Sequence, residues 1–427
     1  MATDDQRPRE SPGGLDEGRE SFRDVDWDAL GGVGLTRRER AMAAFAGVYL
    51  ALLGYDHLLL HGGLNRLLGL VGVRSGFVAG LGGPTVPFGP FAWDLTGTDW
   101  LFVLTIAVGV FYGAWPIYRN PRLSAYYWRR FRRNRAAVLS GLYLLAVFAV
   151  GIVGPLFVDP PAVEPLRQYQ PPVFLTVDAT TPIQCVGETT AVPGGGRRCH
   201  GTWAHPLGTT SEGKDLLALV VLGMRVSMQV GLVTMLLVVT MGSLVGTTAA
   251  YFGGYVDEVL MRYVDLQATF PSFFLFLILS YLFTPSLVLL IVLFGLLGWE
   301  GTARLVRSEA LQRTEEEYVR AAENAGASDA WIIRRHVLPN VSNTVITNAT
   351  LLIPSFILLE AALAFLGLTD PSVSSWGQTI SAGRGDLSSA WWIATVPGVF
   401  LFFTILAFNF LGDALRDALD PRSEGRA

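Results

Sequence analysis

The residues able to do chemistry are few, and their spacing argues against an enzyme. The five histidines stand at 57, 61, 200, 205 and 336, whereas a membrane-embedded enzyme needs a His, Asp or Glu cluster converging at one depth. His57 and His61 share a helix face beside Asp56, but with no fourth ligand nearby they read as polar groups at the wet end of a span rather than as a metal site. Gly213-Lys214-Asp215 is not a phosphate loop, because the Walker A pattern needs Ser or Thr directly after the lysine. The two cysteines, Cys185 and Cys199, lie in one long polar stretch. A disulfide is the expectation for an extracellular loop, with a zinc site completed by His200 and His205, or two free thiols, as the other readings. Glu360 sits in the apolar run LLEAALAFLGL, and an ionisable group at membrane depth is costly enough to face the bundle interior, as an interhelical partner or on a translocation path. No catalytic residue, metal or cofactor is expected.

Those residues are set in a chain built for lipid. It is 51% hydrophobic and 16% charged, with a mean hydropathy of +0.41, where soluble domains carry roughly 25% charged residues. Residues 1–36 form an acidic cytoplasmic tail, with nine acidic residues against four arginines in the first thirty, and such a composition is expected to be disordered. No charged, then apolar, then small-residue pattern occurs early enough for a cleavable signal peptide. Residues 37–120 hold two spans, Ala41 to about Leu60 and Trp100 to Tyr118, separated by an interfacial stretch at 65–82. They are flanked by Arg37, Arg38 and Arg40 and by a cluster from Arg119 through Arg135, which the positive-inside rule holds in the cytoplasm. A third span ends the 121–157 module, and the Pro- and Gly-rich stretch 158–216 lies outside.

Residues 217–427 carry the rest. Spans are expected at Gln229 to Tyr251, through Pro271 to about Phe283, at Ser286 to about Thr302, Val345 to Leu368 and Trp391 to Leu411. Gly242 and Gly246 are four apart, which lets a second helix approach the first closely. The sum is an all-α polytopic protein of about eight transmembrane helices in the cell membrane, with both termini cytoplasmic.

Between two of these spans lies one long polar segment, 314–340. Thr314 with Glu317 predicts a capping box, Gly326 a C′ residue, Ser328 a new N-cap with Asp329 in the first turn, and Pro339 a stop. Two short helices with a break result. Read from helix signals alone, this is equally a solvated connector packed on its neighbours.

The order of residues within the hairpin resembles the loop E-A-A-x3-G-x9-I-x-L-P of ABC importer permeases. Ala321-Ala322, Gly326 with Ala327, and Leu338-Pro339 match it, while Arg320 stands where the family has Glu and His336 where the general motif has Ile. The resemblance is to the peptide/nickel family, in particular the C-type dipeptide and oligopeptide permeases, and runs from about Tyr127 to Pro421. It includes HPLGTTSEGKDLL at 205–217, with Thr210 and Lys214 for Asp and Arg, YFGGYVDEVLMRYVD at 251–265, and Ser375-Trp376-Gly377. It implies a six-helix core with two extra N-terminal helices, forming half of a pore for peptides or related solutes. The implied partners are a second permease, two cytoplasmic ATPases that bind the ATP, an extracellular solute-binding protein and the lipid bilayer, with no nucleic acid. Arg320, Ala321, Ala322, Gly326, Ala327, Leu338 and Pro339 would contact the ATPases, and Glu360 and Trp376 would line the translocation path. The competing readings are nickel chelates or oligosaccharides as cargo, and a self-sufficient secondary transporter. The last would show inverted repeats and several intramembrane charges, where only Glu360 is clear.

Overall fold

The computed structural model describes residues 37–56, 96–158, 161–193 and 195–419. The acidic tail, His57, His61 and the interfacial reading of 65–82 lie outside these residues. The chain divides into two units, Met1–Ala92 and Trp93–Ala427. The described part of the first is helix α1, Arg37–Tyr55, which is not among the helices long and apolar enough to span a membrane. Its opening turn holds Arg37, Arg38, Glu39 and Arg40.

The second unit begins with α2, Gly97–Arg119. Thr96 starts it with a capping box: its hydroxyl accepts from the Asp99 backbone N–H while the Asp99 carboxylate accepts from the Thr96 backbone N–H, satisfying two donors that a bare helix end would leave open. Short helix α3, Pro121–Phe131, leads into α4, Arg135–Val153, capped by Asn134. Then α5, Leu216–Phe252, runs 37 residues, about 55 Å at the α-helical rise. It starts thirteen residues before the expected Gln229, directly after Asp215, whose carboxylate accepts from the Ala218 N–H at 3.1 Å. Arg225 and Gln229 interrupt the apolar run that sequence reading looks for, yet the fold gives both a partner.

The predicted fifth span is broken. Helices α6, Gly254–Thr269, and α7, Ser272–Leu282, are bent by 73° at Pro271, whose ring cannot continue the hydrogen-bond ladder. Helices α8, Leu287–Leu297, and α9, Glu300–Thr314, follow with a step at Gly298. After α10, Glu317–Asn324, α11 spans Asp329–Phe365, α12 Trp376–Gly383 and α13 Trp392–Leu419. The all-helical polytopic class stands, with six spanning helices among the described residues, or seven if the bent α6–α7 pair is one span.

Helix α5 is the axis of this unit, packed by α2, α4, α8, α9 and α11. Small residues permit the close approach. A Cβ on Gly246 would sit 2.5 Å from the Ala303 carbonyl oxygen of α9, and one on Gly242 2.7 Å from Thr302 Cβ, so the predicted Gly242/Gly246 face is where α9 lies. Val230, Val233, Ile291, Phe294 and Ala303 fill the largest core.

Contacts along the helices fix their senses. Gly151 and Gly154 near the end of α4 touch Met228 and Val221 near the start of α5, so the two run antiparallel. Asp99 at the start of α2 meets Arg225, and Ile353 and Ile357 of α11 meet Gly231. The unit therefore has two faces. One carries the 158–215 stretch and the 366–391 segment; the other carries α3, the α5–α6 turn and the 314–337 hairpin.

The 158–215 stretch folds into a small module on the first face. Strands β1 (Thr176–Asp178), β2 (Thr189–Ala191) and β3 (Arg197–His200) make an antiparallel sheet in the order β1-β3-β2. Leu175, Val177 and Leu207 pack with Leu216, Trp392 and Ile393, seating the module on the ends of α5 and α13.

Candidate functional site

The hairpin is built by an inward apolar stripe. Val319 of α10 and Ile332, Val337 and Val341 of α11 are each 0% exposed, and they pack with Val306 and Ala310 of α9 and Ala250 of α5. Spaced along the polar sequence 319–341, those four positions were the signal that motif reading passed over. Polar ties add to the packing. Tyr251 donates to the Asp329 carboxylate at 3.0 Å, and the Asn340 amide to Tyr318 Oη at 3.1 Å. The rings of Tyr318 and Trp331 lie against His336. Beside the hairpin, Arg304 donates to Asp265 at 2.9 Å and Arg307 forms a two-pronged pair with Asp257, so these arginines serve as interhelical partners as well as charged flanks.

The turn between α10 and α11 follows from Gly326. It takes φ +80°, a left-handed conformation that glycine adopts without a Cβ penalty. Its N–H donates to the Glu323 carbonyl at 2.9 Å and that of Ala327 to the Ala322 carbonyl at 3.1 Å, the paired bonds of a Schellman end. Three sequence expectations at this site are corrected. Thr314 does not open a capping box: it is the last residue of α9, its hydroxyl donates to Leu311 O at 3.0 Å, and α10 starts after Glu316. Ser328 flanks α11 as expected but makes no side-chain capping bond. Pro339 does not stop a helix. A π-helical turn, Ile333–Val337, precedes it, and Pro339 then occupies the first turn of the α-helical part of α11, where a missing N–H costs least.

Exposure sorts the motif. Arg320, Ala321, Gly326, Leu338 and Pro339 face solvent, whereas Ala322 and Ala327 are half-buried against the hairpin core. The hairpin is thus a knob whose inner face packs on α5 and α9, while its outer face presents Ala321 and Gly326 together with Arg320, Arg334, Arg335 and Trp331.

The other predicted residues lie elsewhere. Glu360 is 2% exposed near the far end of α11 and hydrogen-bonds Ser375. It borders a small cleft with Ser286, Thr369, Asp370 and Val373. Trp376 is 1% exposed, and its indole N–H donates to the Val220 carbonyl of α5 at 3.0 Å. Gly223 makes room for the ring, since a Cβ there would sit 2.4 Å from Trp376 Cδ1. Trp376 therefore wedges α12 onto α5 within this chain.

Cys185 and Cys199 form a disulfide, which removes both thiols as zinc ligands. His200 Nε2 lies 2.9 Å from Thr190 Oγ1 and His205 Nδ1 2.7 Å from Asp215 Oδ2. Sequence reading missed the cluster on α2. Asp99, 7% exposed, accepts from Arg225 at 2.5 Å and from the Gln229 amide at 2.6 Å. An acidic residue three positions after a threonine, just before an apolar run, signalled the helix start; nothing in the sequence signalled its partners more than 120 residues away.

Six or seven apolar spans among the described residues, with a folded knob on one face, define a polytopic helical membrane protein. Comparison with known proteins narrows the class. Residues 239–425 match the family described as binding-protein-dependent transport system inner membrane component, and residues 123–172 match the N-terminal TM domain of oligopeptide transport permease C. The oligopeptide transport system permease protein OppC of Haemophilus influenzae is 38% identical over 219 residues, 51% of this chain and 70% of that protein. Its Salmonella typhimurium counterpart is 37% identical over 301 residues, 69% and 89% respectively. The dipeptide transport system permease protein DppC of Bacillus subtilis is 34% identical over 297 residues, 69% and 84%. The chain belongs to the binding-protein-dependent permease family, in its oligopeptide permease C branch. The hairpin, Glu360 and Trp376 fall within the longer family match; α1 and α2 fall outside both.

Proposed function

We propose that this chain is one of two membrane subunits of an ATP-driven peptide importer, and that the 317–337 hairpin is its contact with the ATPases. The observation carrying the coupling role is the hairpin's construction, in which a knob exposing Ala321 and Gly326 is fixed through Val319, Ile332 and Val337 to spanning helices α5 and α9. A partner that displaces such a knob moves those helices with it. The peptide reading is supported by the relatives, which are oligopeptide and dipeptide permeases. The hairpin face is then cytoplasmic and the disulfide-bonded module faces outward, where a solute-binding protein would deliver cargo. ATP is bound and hydrolysed by the partner subunits, and the pore is completed by a second permease.

The test uses Gly326→Val and Ala321→Asp. Valine is costly at φ +80°, by about 1–2 kcal/mol for the left-handed backbone, and Ala321 is exposed, so neither change enters the membrane bundle. Ala322, half-buried against the hairpin core, is unsuitable because its replacement would disturb the fold itself. Both variants are expected to insert normally, to lose co-purifying ATPase and to abolish uptake. Variants that assemble and show substrate-stimulated ATP hydrolysis like the parent would reduce the hairpin to a connector.

A further inference from the structure

Between α2 and α4 the chain must turn at a membrane surface, and the turn is unusually charged. Residues 119–135 contain Arg119, Arg122, Arg129, Arg130, Arg132, Arg133 and Arg135 and no Asp or Glu. None of the seven forms an ion pair with a described residue. All are exposed except Arg130, which is half-buried. Arg225, Arg304, Arg307 and Arg313, which pack against the helices of the bundle, all reach carboxylates. A run of seven like charges with no ion-pair partner repels itself, and an external anion would relieve it.

The segment is also built to lie flat. Helix α3 is amphipathic, with Tyr126, Tyr127, Trp128 and Phe131 interleaved among the arginines. Phe131 turns inward onto Gly141 of α4, its Cζ 3.5 Å from where a Cβ would stand. Trp128 stays 56% exposed, and Tyr118, at the end of α2, 84%. Arg119 lies over the Trp115 ring, 5.5 Å from its centroid. Aromatic rings and arginines at the end of a span sit at headgroup depth, and basic clusters there attract anionic lipid.

We infer that residues 119–135 form a binding surface for the headgroups of anionic phospholipids in the leaflet on the hairpin's face. The surface is continuous with the bundle on both sides, since α2 and α4 enter the bilayer directly from it. Lipid phosphates would neutralise the arginines, and the aromatic rings would enter the acyl boundary between them. This ties α2, through α3, to the same membrane surface as the hairpin. The inference rests on the spans and the charges alone and stands whether or not the hairpin contacts an ATPase.

The test reconstitutes the full chain with its partner subunits in vesicles of phosphatidylcholine containing spin-labelled phosphatidylglycerol or spin-labelled phosphatidylcholine. Electron paramagnetic resonance then reads the fraction of each lipid immobilised on the protein. The parent should prefer phosphatidylglycerol by roughly five-fold or more, the weight of one arginine at an anionic surface, and raising salt should erode that preference by screening. R122Q/R129Q/R132Q/R133Q should cut the preference several-fold, to what Arg119, Arg130 and Arg135 still supply, and the corresponding lysine replacements should retain most of it, which separates lost charge from lost fold. Equal immobilisation of the two lipids by the parent would overturn the inference. So would a glutamine variant that keeps the lipid preference while losing a partner subunit, because the arginines would then serve a protein surface.

Discussion

Replacing Asp99 tests whether the helix outside both family matches is an integral part of the bundle. Asp99 is nearly buried, and its carboxylate takes bonds from Arg225 and Gln229. Deleting it strands a guanidinium inside the packed helices. Breaking a buried pair by removing one partner costs about 3–5 kcal/mol in a dry site, but the Arg225 side chain is 35% exposed, so water recovers part of the loss. We therefore expect about 2 kcal/mol for Asp99→Ala, at the low end of that mechanism once screening is counted. The assay is a double-mutant cycle on unfolding in mixed micelles, with Asp99→Ala, Arg225→Gln and both together. Because Arg225→Gln removes the stranded charge, the double variant should be no less stable than Asp99→Ala alone, giving a coupling of about 1–2 kcal/mol. A parallel readout is geometric: cysteines introduced at Gly97 and Val288, where a Gly97 Cβ would lie 3.7 Å from Val288 Cγ2, should cross-link in the parent and not in Asp99→Ala. A coupling near zero with cross-linking unchanged would refute the reasoning, leaving α2 held by apolar packing alone.

Other outcomes follow from single contacts. Converting Cys185 and Cys199 to serine opens a loop whose ends are 14 apart in sequence and should cost about 3 kcal/mol on the chain-entropy model, read as earlier proteolysis of the 158–215 module; mass spectrometry of non-reduced parent digests should find the linked peptides. Gly246→Ala forces a methyl group to 2.5 Å from the Ala303 carbonyl and should destabilise the bundle by about 1–3 kcal/mol as an overpacked contact, whereas Gly301→Ala on the same α9, with nothing within 4 Å, should be neutral or better. Trp376→Phe should loosen α12, because it removes the donor to Val220 O, detectable as faster backbone amide exchange in α12.

What the sequence revealed depended on whether the signal was local. The hairpin was legible because its turn needs a residue that tolerates φ +80° and Gly326 announces it. Gly242 and Gly246 announced a close helix for the same kind of reason. The errors arose where tertiary structure overrode a local rule. Thr314 and Glu317 have the spacing of a capping box, but α9 is already helical up to Thr314 and its hydroxyl turns back on that helix. Pro339 reads as a terminator only if the helix before it is α-helical; the π turn at 333–337 resets the ladder and lets the chain continue. The start of α5 was hidden because Arg225 and Gln229 look polar, and their polarity is matched by Asp99 from a helix far upstream.

That last match has a consequence for how the chain is made. Asp99 and Arg225 are 126 residues apart, so the acid leaves the ribosome first. At the usual rate of synthesis the base follows about 6 to 25 seconds later. An aspartate at the centre of a membrane helix costs about 2.5–3.5 kcal/mol and less at its end, where Asp99 stands, and during that wait α2 has no arginine to offset it. The Asp99–Arg225 pair can therefore close only after α5 has been made, so this contact belongs to the late assembly of the bundle and not to the entry of α2.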